Sequence, residues 1–145
     1  MLVVDTNVLI YAANRDSPFH PACNKWLELQ RAKAGAWYST WPIVYEFMRV
    51  TTHPGVMHAP WTAAQAWSFI KAIFAAPGFS LLAPGSRQAE VLDELLAEMP
   101  ELAGNIMHDA HTVSLMREHG VRQIVTRDTS FHRFKNVDVV DPVAG

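Results

Sequence analysis

The sequence predicts an α/β fold: a three-layer α/β/α sandwich built on a mostly parallel, five-stranded sheet. Short apolar runs alternate with longer amphipathic segments along the whole chain, which is the pattern of strands joined by helices. The connections are long enough to carry a helix from one strand to the next, as parallel pairing requires. The resulting sheet is covered on both faces. At 145 residues, one domain spanning 1–145 is expected, large enough to bury roughly 70% of its unfolded surface.

The first strand is Leu2–Val4, and the helical segment near Thr6–Asn14 follows with no loop between them. A second helix runs near Pro21–Ala34 and leads to the strand Ala36–Ser39. Pro42 suits the first turn of the next helix, near Pro42–Thr52, after Ser39-Thr40. Thr62 is a candidate N-cap for the helix near Thr62–Ala76, with Gln65 placed to close a capping box. The strand Phe79–Leu82 precedes helices near Arg87–Glu98 and Asn105–His119. Gly120 stands where a helix C-cap belongs, directly before the strands Gln123–Thr126 and Val137–Val140. The segments "THPGVMHAP" and "APGFSLLAPG" are loops within the domain, too short to be linkers.

Composition excludes several classes. Half the residues are hydrophobic and 18% are charged, which describes a globular chain and not a disordered one. No stretch reaches the ~18 uninterrupted apolar residues of a membrane span, and Asp5 breaks the first apolar run, which argues against a signal peptide. The single cysteine, Cys23, rules out an internal disulfide, so a cytoplasmic location is expected. The net charge of −2 gives no global signal for nucleic acid. Five of the 12 basic residues nevertheless gather at Arg117, Arg122, Arg127, Arg133 and Lys135.

The chemistry lies in acids at unusual places. Ligands of open parallel sheets collect at the C-terminal ends of strands, where Asp5 and Asp128 fall. Each alone also reads as a helix N-cap. A helix turns by ~100° per residue. With Ile43 at zero, Glu46 lies at about −60°, on the shoulder of the apolar face in "WPIVYEFMRV". With Ile106 at zero, Asp109 in "NIMHDAHTVSLM" also lies at about −60°, flanked by apolar residues. Lone buried carboxylates cost several kcal/mol and survive only with partners. Arg49 and Arg117 would satisfy them as structural pairs. Alternatively, Asp5, Glu46, Asp109 and Asp128 converge. Four anions in one pocket repel one another, and a divalent cation resolves the conflict. All-oxygen ligands select Mg²⁺ or Mn²⁺ over zinc. Such ions activate water, and a pair ~3.5–4 Å apart clamps the attacking and leaving oxygens of phosphoryl transfer.

Together, "VVDTNVLIYA", "VYEFMRVTTHP", "NIMHDAHTVSLMREHGV" and "IVTRDTSFHRF" followed by "VDVVDP" resemble the PIN-domain ribonucleases, and within them the VapC toxins of bacterial toxin–antitoxin pairs. The resemblance covers nearly the whole chain. It implies a Mg²⁺- or Mn²⁺-dependent endoribonuclease that cleaves phosphodiester bonds of RNA, a homodimer, and inhibition by a cognate antitoxin. By position, Asp5, Glu46, Asp109 and Asp128 match the family's acidic quartet, Asp5 and Asp109 being expected closest to the metal. Asn7 and Thr126 match supporting polar positions. Thr129 and Ser130 follow Asp128 where a further acid would make a two-ion site more secure. Arg127, Arg133 and Lys135 are candidates for phosphate contacts.

Other features weigh less. His108 and His111 are expected on the polar side of their helix, pointing away from Asp109. The five tryptophans offer stacking faces for bases, but packing in the core or at an interface is the default. The segment "AAQAWSFIKAIFAA" is apolar on more than one side, as expected of a helix covered by another chain. A haloacid-dehalogenase-like phosphatase would need a second Asp where Asn7 stands. A receiver domain would need a mid-chain phosphoacceptor that "FSLLAPG" lacks. A PIN nuclease outside toxin–antitoxin pairs, or an inactive PIN scaffold that binds RNA or protein, is separated by metal-dependent RNA cleavage and by the neighbouring reading frame.

Overall fold

In a computed structural model that describes residues 1–144, five three-residue strands and six α-helices alternate along the chain. The last expected residue of the domain, Gly145, lies outside the described residues. The strands are β1 (Leu2–Val4), β2 (Trp37–Ser39), β3 (Phe79–Leu81), β4 (Gln123–Val125) and β5 (Asp138–Val140). The helices are α1 (Thr6–Ala13), α2 (His20–Ala32), α3 (Trp41–Thr51), α4 (Ala63–Phe74), α5 (Gln88–Glu98) and α6 (Ile106–Glu118). The sheet order is β3-β2-β1-β4-β5 and every pairing is parallel.

That order fixes the layers. From β1 the chain steps to β2 and then β3 on one side, and later returns to β4 and β5 on the other. Right-handed crossovers therefore place α1–α4 on one face and α5–α6 on the opposite face. The helices pack in those two groups, α1 against α2 and α3, α3 against α4, and α5 against α6. Val3, Val4, Trp37 and Ile124 from the strands are fully buried between them, with Phe47, Leu95 and Leu115 from the helices.

The end signals read from the sequence operate as expected. Thr62 accepts from Gln65 N–H and Gln65 Oε1 accepts from Thr62 N–H, a complete capping box. Thr40 Oγ1 accepts from Ile43 N–H ahead of Pro42. Gly120 takes φ +70°, so that its N–H reaches Arg117 O and that of Val121 reaches Met116 O, closing a Schellman turn. One element was not anticipated: a 3₁₀ turn over Thr129–Arg133, which Asp128 caps. The helix α4 also differs from expectation. Its second apolar side is largely met within the chain, where Trp67 and Phe74 pack on Trp41 and Phe74 stacks on Phe79. Trp41 and Tyr45 of α3 stay exposed beside that cluster.

Candidate active site

The chain leaves β1 for one side of the sheet, and β4 lies on the other, so the crevice past their C-terminal ends is the topological switch point. Asp5 emerges there, its N–H held by Val125 O at 3.0 Å. Its Oδ1 caps α1 by accepting from Thr6 N–H at 2.8 Å. Asp5 therefore caps α1 and at the same time stands in the crevice. Its Oδ2 accepts from Thr126 Oγ1 at 2.8 Å and from Asn7 Nδ2 at 3.2 Å.

Thr126 and Asn7 knit this end of the sheet together. The Thr126 hydroxyl donates to Asp5 and accepts from Asn7 Nδ2 at 2.9 Å and Asp128 N–H at 3.0 Å. One donor and two acceptor sites are thereby all used. Asn7 Oδ1 accepts from Arg127 N–H at 3.0 Å, which turns the Asn7 amide nitrogen toward Asp5. Both residues thus hydrogen-bond the Asp5 carboxylate directly.

Asp109 projects from the first turn of α6, half-buried, and accepts from Ser130 Oγ at 2.5 Å. Ser130 N–H also donates to Asp128 Oδ1 at 2.9 Å. A single serine therefore bridges two acids. Sequence reasoning passed over it, because the position was read only as lacking an acid. The signal was the Asp-x-Ser spacing of a local turn at Asp128.

Electrostatics couples three of the acids. Burial pushes the Asp5 carboxyl up to about 6 against the lowering effect of its Thr126 and Thr6 hydrogen bonds, and the charges of Asp109 and Asp128 push it further. Burial also raises Asp109, opposed by the Ser130 hydrogen bond and reinforced by Asp128. Among the described residues none of these three carboxylates is in an ion pair. Arg117, the structural partner considered for Asp109, binds Glu98 instead.

Glu46 behaves differently. Its side chain is 45% exposed and takes both an Nε and an Nη2 hydrogen bond from Arg49, at 3.0 and 2.6 Å. Those bonds hold its carboxyl below the usual range. The shared helical phase of Glu46 and Asp109 did not give them the same environment. Asp109 is covered by the 3₁₀ turn that carries Ser130, whereas nothing comparable covers the shoulder of α3. His108 is exposed, as expected, and its charge favours the ionised forms of Asp109 and Glu46.

The basic candidates divide. Arg127 Nε contacts both oxygens of Asp141 at 3.3 Å, and its guanidinium lies 3.9 Å from the Phe19 ring centroid. Arg133 is exposed and reaches only 3.9 Å from Glu101, and Lys135 is exposed. A cavity of about 470 Å³ lies elsewhere, between the end of α1 and the segment before α4, lined by Asn14, Arg15, Met57 and Trp61 among others.

The donor chemistry suits a hard divalent cation. The three acids offer oxygen donors, Asp109 Oδ1 and Asp128 Oδ2 accept no hydrogen bond among the described residues, and burial, reinforced by neighbouring negative charge, keeps the Asp5 and Asp109 carboxyls raised. Among the described residues no three His, Cys, Asp or Glu side chains are grouped closely enough to hold a metal ion as they stand. The three acids are linked through Thr126 and Ser130 and are not gathered round one point.

Comparison with known proteins agrees with this geometry. Residues 2–137 match the PIN domain family. The chain is 32% identical to ribonuclease VapC48 of Mycobacterium tuberculosis over 141 residues, 97% of both proteins. Its fold is similar to VapBC2 from Rickettsia felis, solved bound to a DNA fragment from the promoter, with TM-score 0.66, 18% identity and 96% of each chain covered. It is also similar to a toxin–antitoxin complex from Klebsiella pneumoniae, with TM-score 0.59, 19% identity and 98% of each chain covered. The chain belongs to the PIN-domain family, among its VapC ribonucleases.

Proposed function

We propose that the protein is a Mg²⁺- or Mn²⁺-dependent endoribonuclease and the toxin of a toxin–antitoxin pair. The observation that carries this reading is the linkage of Asp5, Asp109 and Asp128 at the switch point through the neutral donors Thr126 and Ser130, with none of the three in an ion pair among the described residues. Such a site leaves its negative charge for a metal ion to balance, and an ion there would supply Lewis-acid stabilisation of charge on the phosphoryl oxygens and activation of water.

Asp5 and Asp109 are the residues to hold the ion, with Asp128 beside them and Glu46 at the border once it releases Arg49. Thr126, Asn7 and Ser130 fix the carboxylates so that little reorganisation accompanies the reaction. A raised carboxyl in the cluster accepts the proton of the attacking water as the new oxygen–phosphorus bond forms and the bond to the leaving oxygen breaks. Arg133 and Lys135, exposed on the same C-terminal span, offer phosphate contacts to the RNA backbone. The relatedness to VapC ribonucleases supports RNA as the substrate. The likeness to a toxin–antitoxin complex supports a cognate antitoxin. The exposed pair Trp41 and Tyr45 supports a second copy as a partner.

The test is incubation of the purified protein with a total-RNA pool, with and without Mg²⁺ or Mn²⁺, with EDTA as control. Cleavage by the parent in metal, lost in EDTA and in Asp5→Asn and Asp109→Asn, is expected. Undiminished cleavage by Asp5→Asn would sink the assignment.

A further inference from the structure

The Arg127 side chain was expected at the RNA backbone, yet the structure commits it to the protein. Two separate segments meet on it. Asp141, the residue after β5, receives its Nε at 3.3 Å on both oxygens, while Asp141 Oδ1 also accepts from Val143 N–H at 2.9 Å. Phe19, from the turn before α2, lies under the guanidinium and is braced edge-on by Tyr11 with centroids 5.1 Å apart. Only about a quarter of the Arg127 and Asp141 side chains is exposed, so the pair is shielded from full solvent screening.

What this clamp holds in place is the backbone of Arg127. That backbone N–H donates to Asn7 Oδ1 and fixes which end of the Asn7 amide faces Asp5. A turned amide would set an oxygen against the Asp5 carboxylate in place of a donor. We infer that Asp141 and Phe19 are positioning residues for the Asp5 carboxylate, acting through the Arg127 backbone N–H and the Asn7 amide. The inference rests on the nuclease reading for its catalytic consequence, but its geometric content stands on this chain of contacts. It joins the segment after β5 to Asp5.

The test is Asp141→Asn, with Arg127→Lys as the milder second variant that keeps the positive charge but cannot lie flat on Phe19. Three measurements are made on the full chain: cleavage of a fluorogenic RNA mixture in Mn²⁺, Mn²⁺ binding by calorimetry without RNA, and the Asn7 side-chain amide resonances in EDTA. In both variants kcat falls by about tenfold or more with KM little changed, Mn²⁺ binds more weakly, and the Asn7 resonances move. A rise in KM alone on Arg127→Lys would instead make Arg127 a phosphate contact and overturn the inference. So would a lower melting temperature with kcat, Mn²⁺ affinity and the Asn7 resonances all unaltered. A parent protein that cleaves no RNA in any metal defeats the nuclease reading, and the binding and resonance measurements still decide the clamp.

Discussion

Thr126 Oγ1 donates to Asp5 Oδ2 at 2.8 Å, joining the ends of β4 and β1 across 121 residues of chain. This contact is the keystone of the polar cluster, since the same hydroxyl accepts from Asn7 and from the backbone of Asp128. Thr126→Val keeps the shape and removes all three bonds. It leaves buried polar groups unpaired, at a cost of about 1–3 kcal/mol in stability, read from urea unfolding. Thr126→Ser keeps the hydroxyl and should recover most of that loss. A valine variant as stable as the parent would show that the network does not support the fold.

The raised Asp5 carboxyl makes a prediction with a definite sign. Its pKa is about 6 in the folded chain against 3.8 for an unperturbed aspartate, so the folded state binds a proton that the unfolded state has already lost between those values. Stability in EDTA therefore falls as pH rises from about 4 to about 6. Asp5→Asn removes that penalty. It should be more stable than the parent at pH 7, by on the order of 2–3 kcal/mol at most, and the advantage should vanish below pH 4. Urea titrations across this range decide it, and an advantage that instead grew toward low pH would reverse the argument. Such a site is less stable than it would be without its function.

The fold was legible because many of its causes are local. Strand runs, Pro42, the Thr62–Gln65 box and Gly120 act within a few residues of themselves. Asp5 and Asp128 drew notice because strand ends in parallel sheets collect ligands, and both do lie at strand ends. The same rule applied to "VDVV" would have picked out Asp141, which was passed over. Glu46 and Asp109 show the limit. A helical wheel gives the direction of a side chain but not what covers it, and only Asp109 lies under the 3₁₀ turn. The commitments of Arg127 and Ser130 were illegible for a related reason, since their partners are set by tertiary packing over 14 and 21 residues.

Arg49 should restrain Glu46 from joining the site. The two are exposed and three residues apart on α3, an arrangement that contributes little to stability. Arg49→Ala should therefore leave the melting temperature in EDTA nearly unchanged. If Glu46 turns toward the ion when freed, the same variant should bind Mn²⁺ more tightly, and Glu46→Gln should cancel that gain. Equal Mn²⁺ affinity in Arg49→Ala and parent would place Glu46 outside the metal shell.

Ser130 offers the sharpest separation of positioning from packing. Its hydroxyl donates to Asp109 Oδ2 and its N–H to Asp128 Oδ1, and only the first bond depends on the side chain. Ser130→Ala thus keeps the turn at Asp128 but removes a contact that lowers the Asp109 carboxyl. With burial and the Asp128 charge unopposed, the Asp109 pKa rises. The acid limb of the pH profile of kcat/KM should move to higher pH, and activity near that limb should drop by about tenfold for each unit of displacement. Ser130→Thr retains the hydroxyl and should restore the parental limb. If the alanine variant keeps that limb in place, Asp109 ionises without help from Ser130, and the serine serves the turn alone.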